Sequence, residues 1–434
     1  MTRDGSSIDQ RGTVAAEQVR GVKYLDKVFG LLAKLRDDGC ARDRAGNRTL
    51  YYDRYASLLL LSMFSPAIDS LRAIQEASAL AKVQKLFGTD RRFSLGSLSE
   101  AARVFDPALL EAVVAELGKE LLPLADCYDP RLAPVRQDLR RTLTLVDGTL
   151  LKALPRLADS MWTTSRSGNP MHGWRLHCQF DLSLGVPREA ELTDYRNSRE
   201  SDEREVLRKS LVAGRCYVMD RGYFSYGLFD AISLVGSDYV CRVKKSISYD
   251  VALEQAVTAA GREAGVTRDV IVRAGSQQRV ERRPNHAVRL VYVQAEVCPR
   301  VAPGSIKPSG PAKVEMLILA TNLLDVPAEV IALIYRYRWT IELFFRFFKQ
   351  VMGCRHLLSD DPDGVRIQCY CAVIACMLLA LWTGKKPNKS TWRMVGWFLC
   401  GMADEAEVLA HLSRPDNRGV KLAAKAALWK KLGL

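Results

Sequence analysis

Tyr335, Arg338, Glu342, Arg346 and Lys349 are the residues whose types and spacing point most directly to chemistry. They fall in the stretch Ile334 to Met352, IYRYRWTIELFFRFFKQVM, which lacks Gly and Pro and repeats its apolar residues at helical spacing, so a helix is predicted there. At about 100° per residue these five lie within an arc of about 80°. Ile334, Tyr337, Ile341, Phe344, Phe348 and Val351 take the other side, and Trp339 is expected in the core. One carboxylate among three cations and a phenol is how a helix presents a metal-binding acid beside a bound polyanion. The plainer reading is an amphipathic helix with an Arg338–Glu342 pair four residues apart.

Two upstream aspartates stand at strand ends. Thr142 to Val146 alternates like a strand and ends on Asp147-Gly148; Cys216 to Met219 is a short apolar strand ending on Asp220-Arg221-Gly222. Turns favour Asp, so either one alone is weak evidence. With Glu342 they make a set of hard oxygen donors, which suits phosphodiester chemistry: two Mg2+ ions roughly 4 Å apart activate a nucleophile and stabilise the leaving oxygen.

The spacing Tyr335, Arg338, Glu342, Lys349, together with LILATNLL upstream and Trp339 and Ile341 inside the helix, resembles the Tyr-Arg-Glu-Lys signature of DDE transposases from bacterial insertion sequences of the insertion-sequence-four family. The resemblance runs from about Leu143 to Leu379. It implies an α/β fold with an RNase H-like catalytic core, and Asp147, Asp220 and Glu342 as catalytic metal ligands for two Mg2+, with Mn2+ as a substitute. It also implies Tyr335, Arg338 and Lys349 as phosphate-binding residues at the transposon end. Arg346 shares the face, and Arg221 and Lys244 are placed along the DNA path, although they read equally well as surface charges. The activity implied is cut-and-paste transposition of double-stranded DNA by a homodimer. An RNase H-like nuclease without strand transfer and a domesticated DNA-binding protein are the alternatives. One branch of the family stacks an insertion-borne Trp in place of a flipped base. All seven Trp here lie outside residues 244–315, which leaves a hairpin intermediate open.

Bulk composition agrees with a polyanionic partner. The 434 residues are 48% hydrophobic and 26% charged, with a net charge of +14. That basic excess favours nucleic acid over a membrane surface. Cys371 to Trp382 is apolar for too few residues to span a bilayer, and the N-terminus lacks a signal-peptide core, so a cytoplasmic, nucleoid-associated protein is expected. Eleven cysteines, odd in number and without a CxxC pair, read as reduced core residues, as at Cys216, Cys241 and Cys376. His172 and His177 make only a weak metal pair.

The elements that position these residues divide the chain. An all-helical region, 1–138, is expected to recognise DNA ends. It includes helices at 16–36, 55–64 and 66–86, a capping box at Ser97–Glu100, and a helix opened by Asp106-Pro107 that reaches about Leu121. Residues 123–136 read as a linker. The catalytic domain, 139–383, has strands at 142–146, 177–182, 190–194, 216–219 and 239–243, with helices at 199–212 and 226–235 between them. That order would set Asp147 and Asp220 on adjacent strand ends. Because 122 positions separate Asp220 from Glu342, residues 244–315 are read as a β-rich insertion. Residues 242–313 hold 13 Lys and Arg against 6 Asp and Glu, a basic surplus suited to gripping DNA. Val365 to Trp382 is a buried apolar helix, and 384–434 is a C-terminal region with helices at 392–412 and 421–432.

Overall fold

The computed structural model describes residues 48–121 except 66 and 87, 134–152, 162–164, 170–194, 202–297, 313–351, 361–383 and 386–414, with 30, 32–38, 42, 132, 358 and 359 besides. Most of the expected 16–36 helix, most of the 123–136 linker and the expected 421–432 helix lie outside them.

The fold is mixed α/β around one ten-stranded sheet. Its strands are β1 (Leu143–Lys152), β2 (Trp162–Thr164), β3 (Pro170–Asp181), β4 (Val186–Asp194), β5 (Cys216–Met219), β6 (Asp238–Arg242), β7 (Tyr249–Gln255), β8 (Val266–Ala274), β9 (Val288–Val297) and β10 (Lys313–Thr321). The order is β2-β3-β1-β5-β6-β10-β9-β8-β7, with β4 paired to β3. β1 is antiparallel to β3 and parallel to β5, and β5 is parallel to β6. The first and fourth strands of the expected series therefore lie side by side, with Val146 opposite Met219. Gly185, at φ 72°, turns β3 into β4, a backbone conformation that costs glycine little. β1 is longer than its alternation suggested: it runs through Asp147 to Lys152 because β3 pairs with it along that length.

The insertion is part of this sheet. β10, which holds most of the LILATNLL stretch and is not predicted as a strand from the sequence, pairs antiparallel with β6 and carries β9, β8 and β7 outward.

From Leu50 onward the N-terminal helices are α1 (Tyr52–Phe64), α2 (Leu71–Ala77), α3 (Ala81–Leu86), α4 (Leu95–Val104), α5 (Ala108–Leu121) and α6 (Gln137–Thr142). Next come α7 (Glu203–Lys209), α8 (Tyr226–Leu234), α9 (Ala259–Glu263), α10 (Ala328–Tyr337), α11 (Trp339–Val351) and α12 (Pro362–Thr383), then α13 (Lys389–Leu399) and α14 (Glu405–Ser413). Several boundaries differ from the sequence reading for local reasons. The 66–86 helix is two helices, the first capped by Ser70, whose side chain accepts from Ala73 N–H. Ser97 is inside α4 and the cap is Ser94, which accepts from Ser97 N–H, so the Ser97–Glu100 capping box is not formed. The expected 392–412 helix breaks at Gly401, φ 74°, and restarts at a true capping box of Asp404 and Glu407.

α12 is long and apolar enough to cross a membrane, longer than the apolar run alone suggested, yet 89% of its most apolar window is buried in the fold. It packs on α1, α4, α5, α11 and β4, so its apolarity serves the core. Through it the N-terminal helices share one hydrophobic core with Leu143 and Leu145 of β1 and Phe344 and Phe348 of α11. Val146, Tyr217 and Met219 belong to a second core on the other face. Asp147 has the parity of Leu143 and Leu145, so its side chain emerges on the face that α11 covers.

Candidate active site

The β1–β5 register fixes two of the three acids. Val146 faces Met219 across parallel strands, so Asp147 and Asp220 follow at the same level. Asp220 ends its strand by capping the turn Arg221–Tyr223, its Oδ1 accepting from Gly222 N–H at 2.6 Å. Asp147 Oδ1 accepts from Gly148 N–H at 2.8 Å.

The third acid arrives on α11. The expected single helix from Ile334 to Met352 is interrupted at Arg338, where Arg338 N–H bonds to Tyr335 O at 3.0 Å and Ile341 N–H to Arg338 O at 3.3 Å. These three-residue spacings tighten one turn while Arg338 stays in the right-handed region. The turn aims the Arg338 guanidinium at two carboxylates: Nη2 lies 2.7 Å from Glu342 Oε1 and Nη1 lies 3.5 Å from Asp147 Oδ2. All three side chains are largely withdrawn from solvent, at 14% exposure for Arg338, 30% for Glu342 and 21% for Asp147.

Burial pushes the Asp147 carboxyl up to about 7, with Asp220 and Glu342 adding to the rise and Arg338 and Gly148 N–H opposing it. Withdrawal from water is the main reason the neutral form is favoured. For Arg338, burial works against the charged form, but the Glu342 hydrogen bond, Tyr335 and Asp147 outweigh it and raise its pKa. Burial likewise pushes the Tyr335 phenol up to about 12 against the pull of Arg338 and Arg242. Asp147, Asp220, Glu342, Tyr335 and Arg338 thus form one electrostatic cluster. Among the described residues no three His, Cys, Asp or Glu stand close enough to hold a metal ion as arranged, and the Arg338 side chain joins Asp147 to Glu342.

Residues 138–378 match the family model described as the transposase DDE domain, more than half of the chain. The chain belongs to the transposase DDE domain family. It is 27% identical over 247 residues to the protein named as transposase y4zB of Sinorhizobium fredii, covering 57% of this chain and 62% of that relative. It is 22% identical over 341 residues to the transposase of insertion sequence IS421 of Escherichia coli, covering 72% and 86%. A third relative, a transposase of IS4SA from Synechocystis, is 21% identical over 289 residues, covering 66% and 71%. A solved synaptic complex of piggyBac transposase with hairpin DNA is 11% identical with a TM-score of 0.39, covering 93% of this chain and 80% of that one.

The other signature residues are placed less uniformly. Lys349 is half-buried on α11, two turns and about 10 Å beyond Glu342. Arg346 is exposed, and its guanidinium lies 5.7 Å from the centre of the Trp339 ring, so it serves that ring rather than the carboxylate cluster. Trp339 is 49% exposed, which corrects the expectation that it packs in the core; Leu343, one turn on, is 50% exposed beside it. Arg221 and Lys244 are both exposed, just past the carboxyl ends of β5 and β6. His177 is buried, with Nε2 2.7 Å from Thr193 Oγ1, and burial with the nearby Arg175 lowers its pKa to about 4. It is a neutral core histidine.

Sequence reasoning missed two residues at this site. Glu203, the first residue of α7, pairs with Arg175 of β3 at 3.0 Å. A glycine follows each aspartate, Gly148 and Gly222, and a Cβ at either would approach Glu203. Those glycines were the available signal.

Within the insertion, Arg289 is not a DNA-facing charge. It is 4% exposed and forms a bidentate pair with Asp269, Nε to Oδ1 at 2.8 Å and Nη2 to Oδ2 at 2.7 Å. Its Nη1 donates to the carbonyls of Leu323, Leu324 and Val326. The described cysteines at 178, 216, 241, 369, 371 and 376 are buried thiols, as expected, and Cys400 is exposed.

Proposed function

We propose that this transposase cuts DNA at the ends of an insertion sequence and joins them to a target by a cut-and-paste route. The observation that carries the reading is that Asp147 and Asp220 stand level where the β1–β5 pairing ends, with Glu342 joined to Asp147 through Arg338. The donor set suits hard divalent cations, Mg2+ with Mn2+ as substitute, because every donor is a carboxylate oxygen. When bound, two such ions supply an activated nucleophile and charge compensation at the leaving oxygen. The rest falls to the chain. Arg338 is exchanged from its carboxylates onto a backbone phosphate, where its planar fork binds two oxygens. Tyr335 donates its phenol proton to the same phosphate, and its raised pKa keeps that proton in place at neutral pH. Lys349 adds a point charge two turns along. Arg221 and Lys244 flank the strand ends where the duplex would pass; Arg346 is a weaker candidate because Trp339 already engages it.

The neighbours β4, β3, β1, β5 and β6, with β3 antiparallel to β1 and the last three parallel, support an RNase H-like core within 139–383. Residues 1–138 are proposed to recognise DNA ends, 244–315 to grip the duplex and 384–434 to complete a helical C-terminal region. A homodimer acting on paired double-stranded ends in the cytoplasm, associated with the nucleoid, completes the proposal. A nuclease without strand transfer is the second reading, favoured by nothing specific in the site.

Glu342→Gln is the test. It keeps size but removes a charge, so nicking and strand transfer should fall by several orders of magnitude, while end binding persists or tightens because Arg338 is released toward phosphate. Arg338→Ala should cost about 1.5–3 kcal/mol in end binding. Gel-shift titration beside a Mg2+-dependent cleavage assay on an end duplex reads both, with circular dichroism to confirm folding. A folded Glu342→Gln protein that cleaves at the wild-type rate removes Glu342 from the active site.

A further inference from the structure

Gly148 follows Asp147 directly and Gly222 follows Asp220 two places on. A Cβ at Gly148 would meet Glu203 Oε1 at 3.0 Å. A Cβ at Gly222 would meet Asp220 Oδ1 at 3.0 Å and Glu203 Oε2 at 3.5 Å. The missing side chains are what lets one carboxylate reach in where β1 and β5 part, with one oxygen toward Gly148 and the other toward Gly222. Helix α7 delivers it: Asp202 caps the helix by accepting from Arg204 N–H at 2.9 Å, which leaves Glu203 as the first helical residue. Arg175, across the β1–β3 ladder from Leu150, holds the same carboxylate at 3.0 Å.

A second observation is independent of the acids. Tyr223 is 1% exposed, its hydroxyl is buried without a hydrogen-bond partner, and the charges acting on it are Glu203, Asp147, Asp220 and Arg175. A buried hydroxyl left unpaired is costly, and this one sits among carboxylates. Glu203 and Tyr223 also line a cavity of about 750 Å³.

We propose that Glu203 is a fourth carboxylate of the active centre, holding a divalent cation together with Asp220. Tyr223 then bonds to water carried by that cation, and Arg175 is the countercharge with which the cation competes for Glu203. This rests on the metal-dependent reading of Asp147, Asp220 and Glu342.

Mn2+ binding to the full chain, followed by titration calorimetry without DNA, tests the inference separately from catalysis. Glu203→Gln and Asp220→Asn should each weaken Mn2+ at least about tenfold. Arg175→Met removes the competing cation and keeps the carboxylate, so it should bind Mn2+ as tightly as wild type or more tightly. Should Glu203→Gln fail to fold, the double variant Arg175→Met with Glu203→Gln, which removes both charges of the pair, should show the same loss. Wild-type Mn2+ affinity in Glu203→Gln, with the loss confined to Asp220→Asn, overturns this inference and leaves the metal-dependent reading standing: Glu203 would then serve only as the partner of Arg175. Undiminished affinity in both Asp147→Asn and Asp220→Asn overturns the metal reading itself.

Discussion

Replacing Arg289 with Met separates structure from DNA contact in the insertion. Arg289 and Asp269 are each about 4% exposed at the side chain, so the substitution leaves Asp269 buried opposite an apolar chain. Removing one partner of a buried pair costs about 3–5 kcal/mol, mostly from the stranded charge. The carbonyls of Leu323, Leu324 and Val326 lose their donor as well. They belong to the segment joining β10 to α10, and α10 leads to Arg338 and Glu342. Urea unfolding should therefore show a midpoint lowered by that loss divided by the slope, at an unchanged slope, and metal-dependent cleavage should fall in the protein that remains folded. Pairing Arg289→Met with Asp269→Leu removes both charges and should recover much of the stability. The salt dependence of DNA binding should not change, because a residue this buried meets no phosphate. A variant within about 0.5 kcal/mol of wild type that instead shows a flatter salt dependence would refute the reasoning and return Arg289 to the DNA path.

Other expectations follow from single features. Neutralising exposed Arg279 and Arg282 should flatten the log-log salt dependence of DNA binding by about 0.9 for each phosphate no longer neutralised, and an unchanged slope would make the loop a solubilising hairpin. His177 has its pKa depressed from 6.5 to about 4, so its contribution is present above pH 6.5 and lost as pH falls through 4; in His177→Gln, urea midpoints between pH 7 and pH 4 should fall less than in wild type. Burial pushes the Cys216, Cys371 and Cys376 thiols well up, so cleavage should survive millimolar dithiothreitol and a zinc-specific chelator in the presence of Mg2+; inactivation by either would reopen a redox or zinc role.

The aspartates were legible because strand ends and parallel register are local and repetitive: short apolar runs ending on Asp147 and Asp220 were visible as such. Glu342 and Arg338 were legible from helical spacing. Trp339 was misread for its identity rather than its position. At about 100° per residue it lies roughly 20° from Arg346, on the polar side, and an indole there was assigned to the core on hydrophobicity alone. Arg289 shows the opposite limit. In sequence it is one more positive charge in a basic segment, and its burial depends on Asp269, on a different strand. No window of local periodicity contains both. Glu203 was hidden similarly, since its role comes from two glycines that precede and follow it by many residues.

The position of β10 explains how an insertion can interrupt the proposed catalytic centre without displacing it. The chain leaves the core after β6 and returns on β10, which pairs antiparallel with β6, Thr321 opposite Val240. Exit and re-entry are therefore neighbours, and α10 starts from a fixed point whatever lies between. The entropy of closing such a loop grows only slowly with its length, so length alone does not oppose an insertion here. What the intervening strands must do is hold the re-entry segment at the correct angle. Arg289 supplies that hold, gripping three carbonyls just before Pro327 while anchored to Asp269 on β8. The basic segment thus commits one arginine to fixing the chain ahead of α10, separated by burial from the exposed arginines that are proposed to meet DNA.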